Sequence, residues 1–218
     1  MRMKKVQDHY FHQAKKKGFA ARSVFKLEEI DQRHRLIKKG FKVLDLGASP
    51  GSWMQYASLK AGETGLVFGV DLKELEIGLA PNMRFNQADL NDTVAAFLDA
   101  PVVFDLVLSD MAPKTTGIKD VDARRSYDLC NLALEVARTR LRTGGSLLTK
   151  VLQGGEFKEL LTAFNKAYHS TLVIKPKSSR SESREVFVLG ARKKDHQIQD
   201  KTDTDRIKDD NHTIGQKK

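Results

Sequence analysis

The sequence predicts an α/β fold built on a seven-stranded, mostly parallel sheet, with helices on both faces and an antiparallel last strand. Three observations predict it. Between residues 43 and 189, short β-branched runs ending in Asp, Gly or Pro alternate with amphipathic stretches, the pattern of a parallel sheet covered on both sides. The first run ends in a glycine-containing loop that leads straight into a helix, as in open α/β sheets that bind ligands at their carboxyl edge. The last two runs are separated only by KPKSSRSESR, a link without helical pattern that suits a hairpin and turns the final strand against its neighbours.

Taken in order, residues 1–42 read as a basic helical segment of the same domain, residues 43–192 as the core of the fold, and residues 193–218 as a polar, disordered tail. Strands are expected at Val43 to Leu46, Leu66 to Asp71, Met83 to Ala88, Phe104 to Ser109, Ser146 to Val151, Thr171 to Lys175 and Glu185 to Leu189. The helix with the clearest 3.6-residue period is expected from about Ser126 to Leu141. Leu129, Leu132, Ala133, Val136, Ala137 and Leu141 lie along one side of it, and Thr143-Gly144-Gly145 should stop it. A chain of 218 residues, 40% of them hydrophobic, suits one domain with its own core better than two small ones. From residue 191 onward eight basic and six acidic residues accompany only three Ile and one Ala, too little apolar surface to repay ordering.

The charge is uneven. Lys and Arg number 38 against 28 Asp and Glu, a net of +10. The first 42 residues hold 13 basic and four acidic residues, whereas the other 176 are nearly balanced, with 25 against 24. A local basic patch gathers phosphates and releases counterions from a nucleic acid, so Lys15, Lys16, Lys17 and Arg22 are the candidate nucleic-acid contacts. No apolar stretch is long enough for a membrane span, and the N-terminus lacks the apolar core of a secretory signal. Asp8, Glu28 and Glu29, with one Ser in the first 30 residues, count against a mitochondrial transit peptide. The single Cys130 cannot form an intrachain disulfide, which points to a reducing compartment. A cytosolic protein is expected. His9 and His12 lie three apart without an acidic or Cys partner, so no metal is assigned.

Chemistry concentrates at strand ends. The first strand closes in VLDLGASPGSW, residues 43 to 53, where Gly47 and Gly51 allow a tight turn and close backbone approach to a ligand. The loop lacks G-x-G-x-x-G, so a dinucleotide is poorly supported. Asp71 ends the second strand and can accept both ribose hydroxyls of an adenosine or cap a helix. Asp89 follows the third strand and can accept from an adenine amino group. Asp45 suits holding the loop, or a ligand's cationic amino group. Asp110 closes VFDLVLSD, Lys150 closes SLLTK and Glu185 opens EVFVL. With the last strand reversed, all three fall at the ligand edge. Lys26 interrupts the apolar stripe of RSVFKLEEI, where lysine seldom stands without a partner unless it snorkels to water. Trp53 and Phe25 can stack on a base or serve the core.

These motifs resemble the FtsJ/RrmJ family of S-adenosylmethionine-dependent ribosomal RNA large-subunit 2′-O-methyltransferases, which have a Rossmann-like methyltransferase fold. The likeness runs from about Tyr10 to Arg192 and rests on AKKKGFAARSVFKLEEI, VLDLGASPGSW, SDMAPKTTG, LLTKVLQGGEF and SRSESREVFVL. It implies a Lys26, Asp110, Lys150 and Glu185 tetrad around the target hydroxyl, with Lys150 as proton acceptor, and cofactor contacts from Gly51, Trp53, Asp71, Asp89 and Asp110. It also implies S-adenosylmethionine as cofactor and RNA as partner. The short chain and compact basic N-terminus look most like the type acting on a uridine of 23S rRNA within the 50S subunit, as a monomer. Relatives acting on tRNA anticodon loops or mRNA caps are the alternatives, and a non-catalytic assembly factor or a small-molecule methyltransferase would be other classes. Ser52 departs from the Gly expected in many relatives, and the tail beyond Arg192 is longer than the fold requires.

Overall fold

The computed structural model describes residues 2–90, 102–179 and 183–195, with side chains from His9 onward. The elements are α1 (Arg2–Lys16), α2 (Val24–His34), β1 (Lys42–Leu46), α3 (Ser52–Ala61), β2 (Leu66–Asp71), β3 (Met83–Gln87), β4 (Phe104–Ser109), α4 (Lys119–Arg140), β5 (Leu141–Leu152), α5 (Phe157–Ala167), β6 (Tyr168–Ile174) and β7 (Glu185–Lys193). They build one seven-stranded sheet in the order β3-β2-β1-β4-β5-β7-β6. β3, β2, β1, β4 and β5 pair in parallel. β7 inserts antiparallel between β5 and β6.

Strand alternation sorts the apolar side chains into two layers. Val43, Leu106, Leu108, Phe187 and Leu189 face a cluster with Leu27 and Ile30 of α2 and Met54 and Ala57 of α3. Leu44, Val107, Val186 and Val188 face the opposite cluster, with Ala133 and Ala137 of α4 and Leu160 and Phe164 of α5. The parity that puts Val43 towards α2 and α3 puts Asp45 there too.

Three boundaries differ most from the sequence reading, and β6 also starts early, at Tyr168 rather than Thr171. α4 begins at Lys119, ahead of the expected Ser126, because Asp122 and Ser126 are buried on it. Thr143-Gly144-Gly145 does not follow the helix as a loop. β5 starts at Leu141, and the glycines lie in a register shift against β4, where Gly144 takes φ +78°. β7 runs on to Lys193, whose Nζ donates to the carbonyls of Ala137, Arg138 and Leu141 at the end of α4. A cation there answers the negative end of the helix dipole. The expected polar tail therefore begins inside β7, and from residue 196 it lies outside the described residues.

α2 is held onto α3 by polar contacts that its sequence does not announce. Buried Asp31 accepts from the Ile37 amide at 2.8 Å and from the Tyr56 hydroxyl at 2.9 Å. The Trp53 indole donates to the Ser23 carbonyl at 3.0 Å, and the Ser23 and Ser52 hydroxyls pair at 3.0 Å. Ser52, the departure from the family pattern, thus joins the start of α3 to the residue before α2.

Candidate active site

The carboxyl edge of the sheet assembles the charged residues. Ser109 registers with Thr149, Lys150 with Phe187 and Leu152 with Glu185. Asp110 just past β4, Lys150 near the end of β5 and Glu185 at the start of β7 therefore share one edge. Lys150 is only 8% exposed. Its Nζ donates to the Asp110 carbonyl at 2.5 Å and to Asp110 Oδ1 at 2.9 Å. Of the three N–H groups of an ammonium, one is then left for a third partner.

Lys26 enters from α2. Val24, Phe25, Leu27 and Ile30 are buried, which fixes the helix rotation and sends Lys26 towards the sheet edge rather than to water. Lys26 Nζ lies 2.6 Å from Glu185 Oε1, with both side chains 15% exposed, and 5.9 Å from the Phe187 ring centroid. Burial by itself would raise the Glu185 carboxyl. Lys26, the neighbouring Lys150 charge and the Ser179 hydroxyl outweigh it and hold the group below its ordinary value. The influence of Lys150 on Glu185 ties the two pairs into one cluster of two cations and two anions, a balance that lowers the cost of burying them.

Beside this cluster lies the glycine loop. Gly47 and Gly51 adopt φ +79° and +113°, and a Cβ on either would fall 2.7 Å from Met111 Cγ or 2.5 Å from Ile77 Cδ1, so both positions require glycine. The amides of Gly47 and Ala48 donate to the Val70 carbonyl at 2.9 and 3.1 Å. Asp71 accepts from the amides of Ser49 and Lys73 at 2.9 and 2.8 Å; it braces the loop, and its further lone pairs remain for a ligand. Asp45 is fully buried, and among the described residues neither carboxylate oxygen has a hydrogen-bond partner. Burial first, then Asp110 and Asp71, push its carboxyl well above the ordinary value. A buried acid flanked by two more acids needs a cation or a proton. The set therefore fits a ligand with cationic centres, and the first turn of α3 adds backbone N–H groups for an anionic one.

The remaining sequence candidates are placed differently. The Trp53 side chain is buried against Phe187, with ring centroids 5.8 Å apart, and its indole N–H is spent on the Ser23 carbonyl. Phe25 is core. Asp89 follows β3 and is partly buried. Lys15 and Lys16 are exposed in the last turn of α1, whereas Lys17 lies 3.4 Å from Glu28. Arg22 lines a cavity of about 140 Å³ with Lys26, Ser179, Ser183 and Glu185. Residues the sequence reading missed are positioning ones. Asp122 accepts from the amides of Thr116 and Gly117, shaping the segment after Asp110. Glu29 accepts from the Lys177 amide at 2.8 Å, and Ser179 donates to Glu185 at 3.0 Å. Partners across a loop leave no periodic trace in sequence. Among the described residues no group of three His, Cys, Asp or Glu could hold a metal, and no helix is long and apolar enough to cross a membrane.

Comparison with known proteins identifies the chain's family and fold. The chain is 50% identical over 192 residues to the ribosomal RNA large subunit methyltransferase E of Bdellovibrio bacteriovorus, covering 86% of this chain and 97% of that one. It is 48% identical over 189 residues to the protein of the same name from Desulfatibacillum aliphaticivorans, covering 86% and 91%. Among solved structures, a Plasmodium falciparum chain assigned as a ribosomal RNA methyltransferase superposes with TM-score 0.68 at 25% identity, covering 80% of this chain and 98% of that one. Aeropyrum pernix fibrillarin, solved with S-adenosyl-L-methionine bound, shares the fold at TM-score 0.52 and 14% identity, over 72% and 68% of the two chains. The FtsJ-like methyltransferase family model matches residues 19–193, and the chain belongs to that family.

Proposed function

We propose that this methyltransferase moves a methyl group from S-adenosylmethionine to a ribose 2′-hydroxyl of RNA, and that its target is a uridine of 23S rRNA presented in the 50S subunit. One observation carries the chemistry: two lysine–carboxylate pairs, Lys26–Glu185 and Lys150–Asp110, stand at the ligand edge beside buried Asp45, which has no hydrogen-bond partner among the described residues. The rRNA target is supported by relatives of about half identical sequence named for the ribosomal RNA large subunit.

The cofactor supplies an activated methyl group on a sulfonium. Gly47, Gly51 and the first turn of α3 would hold its amino-acid end, Asp45 its cationic amino group, and Asp71 and Asp89 its ribose and adenine. A ribose hydroxyl is a poor nucleophile, so the protein must align the oxygen and take or redirect its proton. Lys150 is the residue for that step. Fixed through two bonds to Asp110, it turns its remaining N–H, or the lone pair left once a proton departs, to the hydroxyl. Lys26 and Glu185 orient the ribose from the other side. Lys15, Lys16, Lys17 and Arg22 gather RNA phosphates. The protein acts as a cytosolic monomer.

The test is transfer of labelled methyl from S-adenosylmethionine to 50S particles, free 23S rRNA or tRNA, with the labelled nucleotide mapped. Label on a 23S uridine ribose in 50S particles is expected, and label only on tRNA or on a base would refute the reading. In the same assay Lys150→Ala should lower the rate by roughly 10²–10⁴-fold with cofactor affinity retained by calorimetry; full turnover by that variant removes Lys150 from the chemistry.

A further inference from the structure

The cavity next to the tetrad has three lining residues, Arg22, Ser179 and Ser183, that stand outside the tetrad. Its walls are Arg22, Lys26, Ser179, Ser183 and Glu185, around about 140 Å³, several times the ~30 Å³ a water occupies in the liquid. Every described lining residue is polar or charged. Glu185 would repel an anion if bare, but its Oε1 is held by both Lys26 and the Ser179 hydroxyl, at 2.6 and 3.0 Å. Its charge is thereby answered within the wall. Among the described residues no carboxylate pairs with Arg22, so its guanidinium leaves the described lining one positive charge in excess.

The described residues on either side of residues 180–182, the two serines among them, are held by hydrogen bonds. Glu29 of α2 accepts from the amides of Lys177 and Ser178, at 2.8 and 3.4 Å, while Lys175 Nζ donates to the Ser183 carbonyl at 2.7 Å. Ser183 Oγ accepts from the Glu185 amide at 3.2 Å, and its own proton remains to be donated. Ser179 has spent its proton on Glu185. The donors aimed at an occupant are therefore the Arg22 guanidinium and the Ser183 hydroxyl, a set matched to phosphate oxygens.

We propose that this cavity is the subsite for the phosphodiester on the 3′ side of the target ribose, bound by Arg22 and Ser183. The inference rests on the reading of the tetrad as the site of the target hydroxyl. The 2′ and 3′ oxygens sit on adjacent carbons, so the 3′-phosphodiester is the anion nearest the reacting oxygen. The cavity shares Lys26 and Glu185 with the cluster that would hold that oxygen. Arg22 then places the ribose as well as adding affinity, unlike the exposed Lys15 and Lys16, which lie on α1.

The test pairs a protein change with an RNA change, using the full-length chain and an accepted RNA carrying one uncharged methylphosphonate linkage 3′ or 5′ of the target ribose. For the wild type, neutralising the 3′ linkage should raise the KM for RNA by about tenfold or more, and neutralising the 5′ linkage should cost less. Arg22→Gln should raise KM similarly for native RNA, bind S-adenosylmethionine normally, and lose its sensitivity to the 3′ linkage. Arg22→Lys should recover only part of the loss, and Ser183→Ala should show a smaller loss of the same kind. Equal penalties at the 3′ linkage for wild type and Arg22→Gln, or a larger wild-type penalty at the 5′ linkage, would overturn the subsite. If Arg22→Gln fails to fold, the two linkages compared on the wild type still decide it. Absence of methylation of any RNA by the wild type would instead sink the underlying activity.

Discussion

At Asp45 the protein keeps, in the middle of its sheet, an acid with no hydrogen-bond partner among the described residues, and the consequences can be measured. The raised pKa means that Asp45 holds its proton to higher pH in the folded, cofactor-free protein than in the unfolded chain. Its contribution to stability is therefore fully present below the ordinary carboxylate value and is lost as pH rises through the raised one. A cationic ligand reverses this by favouring the ionised form, so binding S-adenosylmethionine should expel a proton and strengthen as pH rises. Asp45→Asn should weaken cofactor binding by about tenfold or more, abolish the pH dependence, and lose less stability than wild type as pH climbs. Calorimetry in buffers of different ionisation enthalpy reads the proton, and an unchanged affinity in the Asn variant would remove Asp45 from the site. This residue was legible as an acid beside a glycine loop. Its lack of a partner was not, because burial depends on what α2 and α3 place over it.

At the scale of elements, α2 matters because it carries Lys26, and its position rests on a few buried polar bonds. Tyr56 of α3 donates to Asp31 of α2, and burial, helped by Asp31, raises the phenol so that it stays protonated. Tyr56→Phe leaves Asp31 short of a donor and should cost about 1–3 kcal/mol, seen as a lower midpoint in denaturant with an unchanged slope. An unaltered midpoint would mean that this bond contributes nothing to docking the helix. The strand positions were readable because β1, β4 and β7 are short apolar runs, buried on both faces and bounded by turn residues. The ends of α4 and β7 were not, since they are set by Lys193 reaching the last carbonyls of α4 from 52 to 56 residues away. Nor could the pattern show that Gly144 would sit in a register shift rather than a loop, because glycine permits both.

Over the whole molecule, the net charge resides almost entirely in the first 42 residues, and α1 presents Lys15 and Lys16 to solvent. Reversing both to Glu should weaken RNA binding and flatten its dependence on salt, by about 0.7–0.9 in log–log slope for each phosphate that is no longer neutralised. A slope equal to wild type would take α1 out of the RNA surface. Lys17 should matter less, since Glu28 already faces it.

By itself the sequence determined the kinds of element, their order, the reversal of the last strand and the identities of the charged residues at strand ends, because periodicity and turn chemistry are local properties written into neighbouring residues. Only the tertiary structure decided that Lys26 meets Glu185 while Lys150 meets Asp110, that Asp45 finds no hydrogen-bond partner among the described residues, and that Arg22 and Ser183 line one cavity. Those facts depend on which side chains are brought within a few ångströms by packing between residues far apart in the chain, and no local pattern encodes such distances.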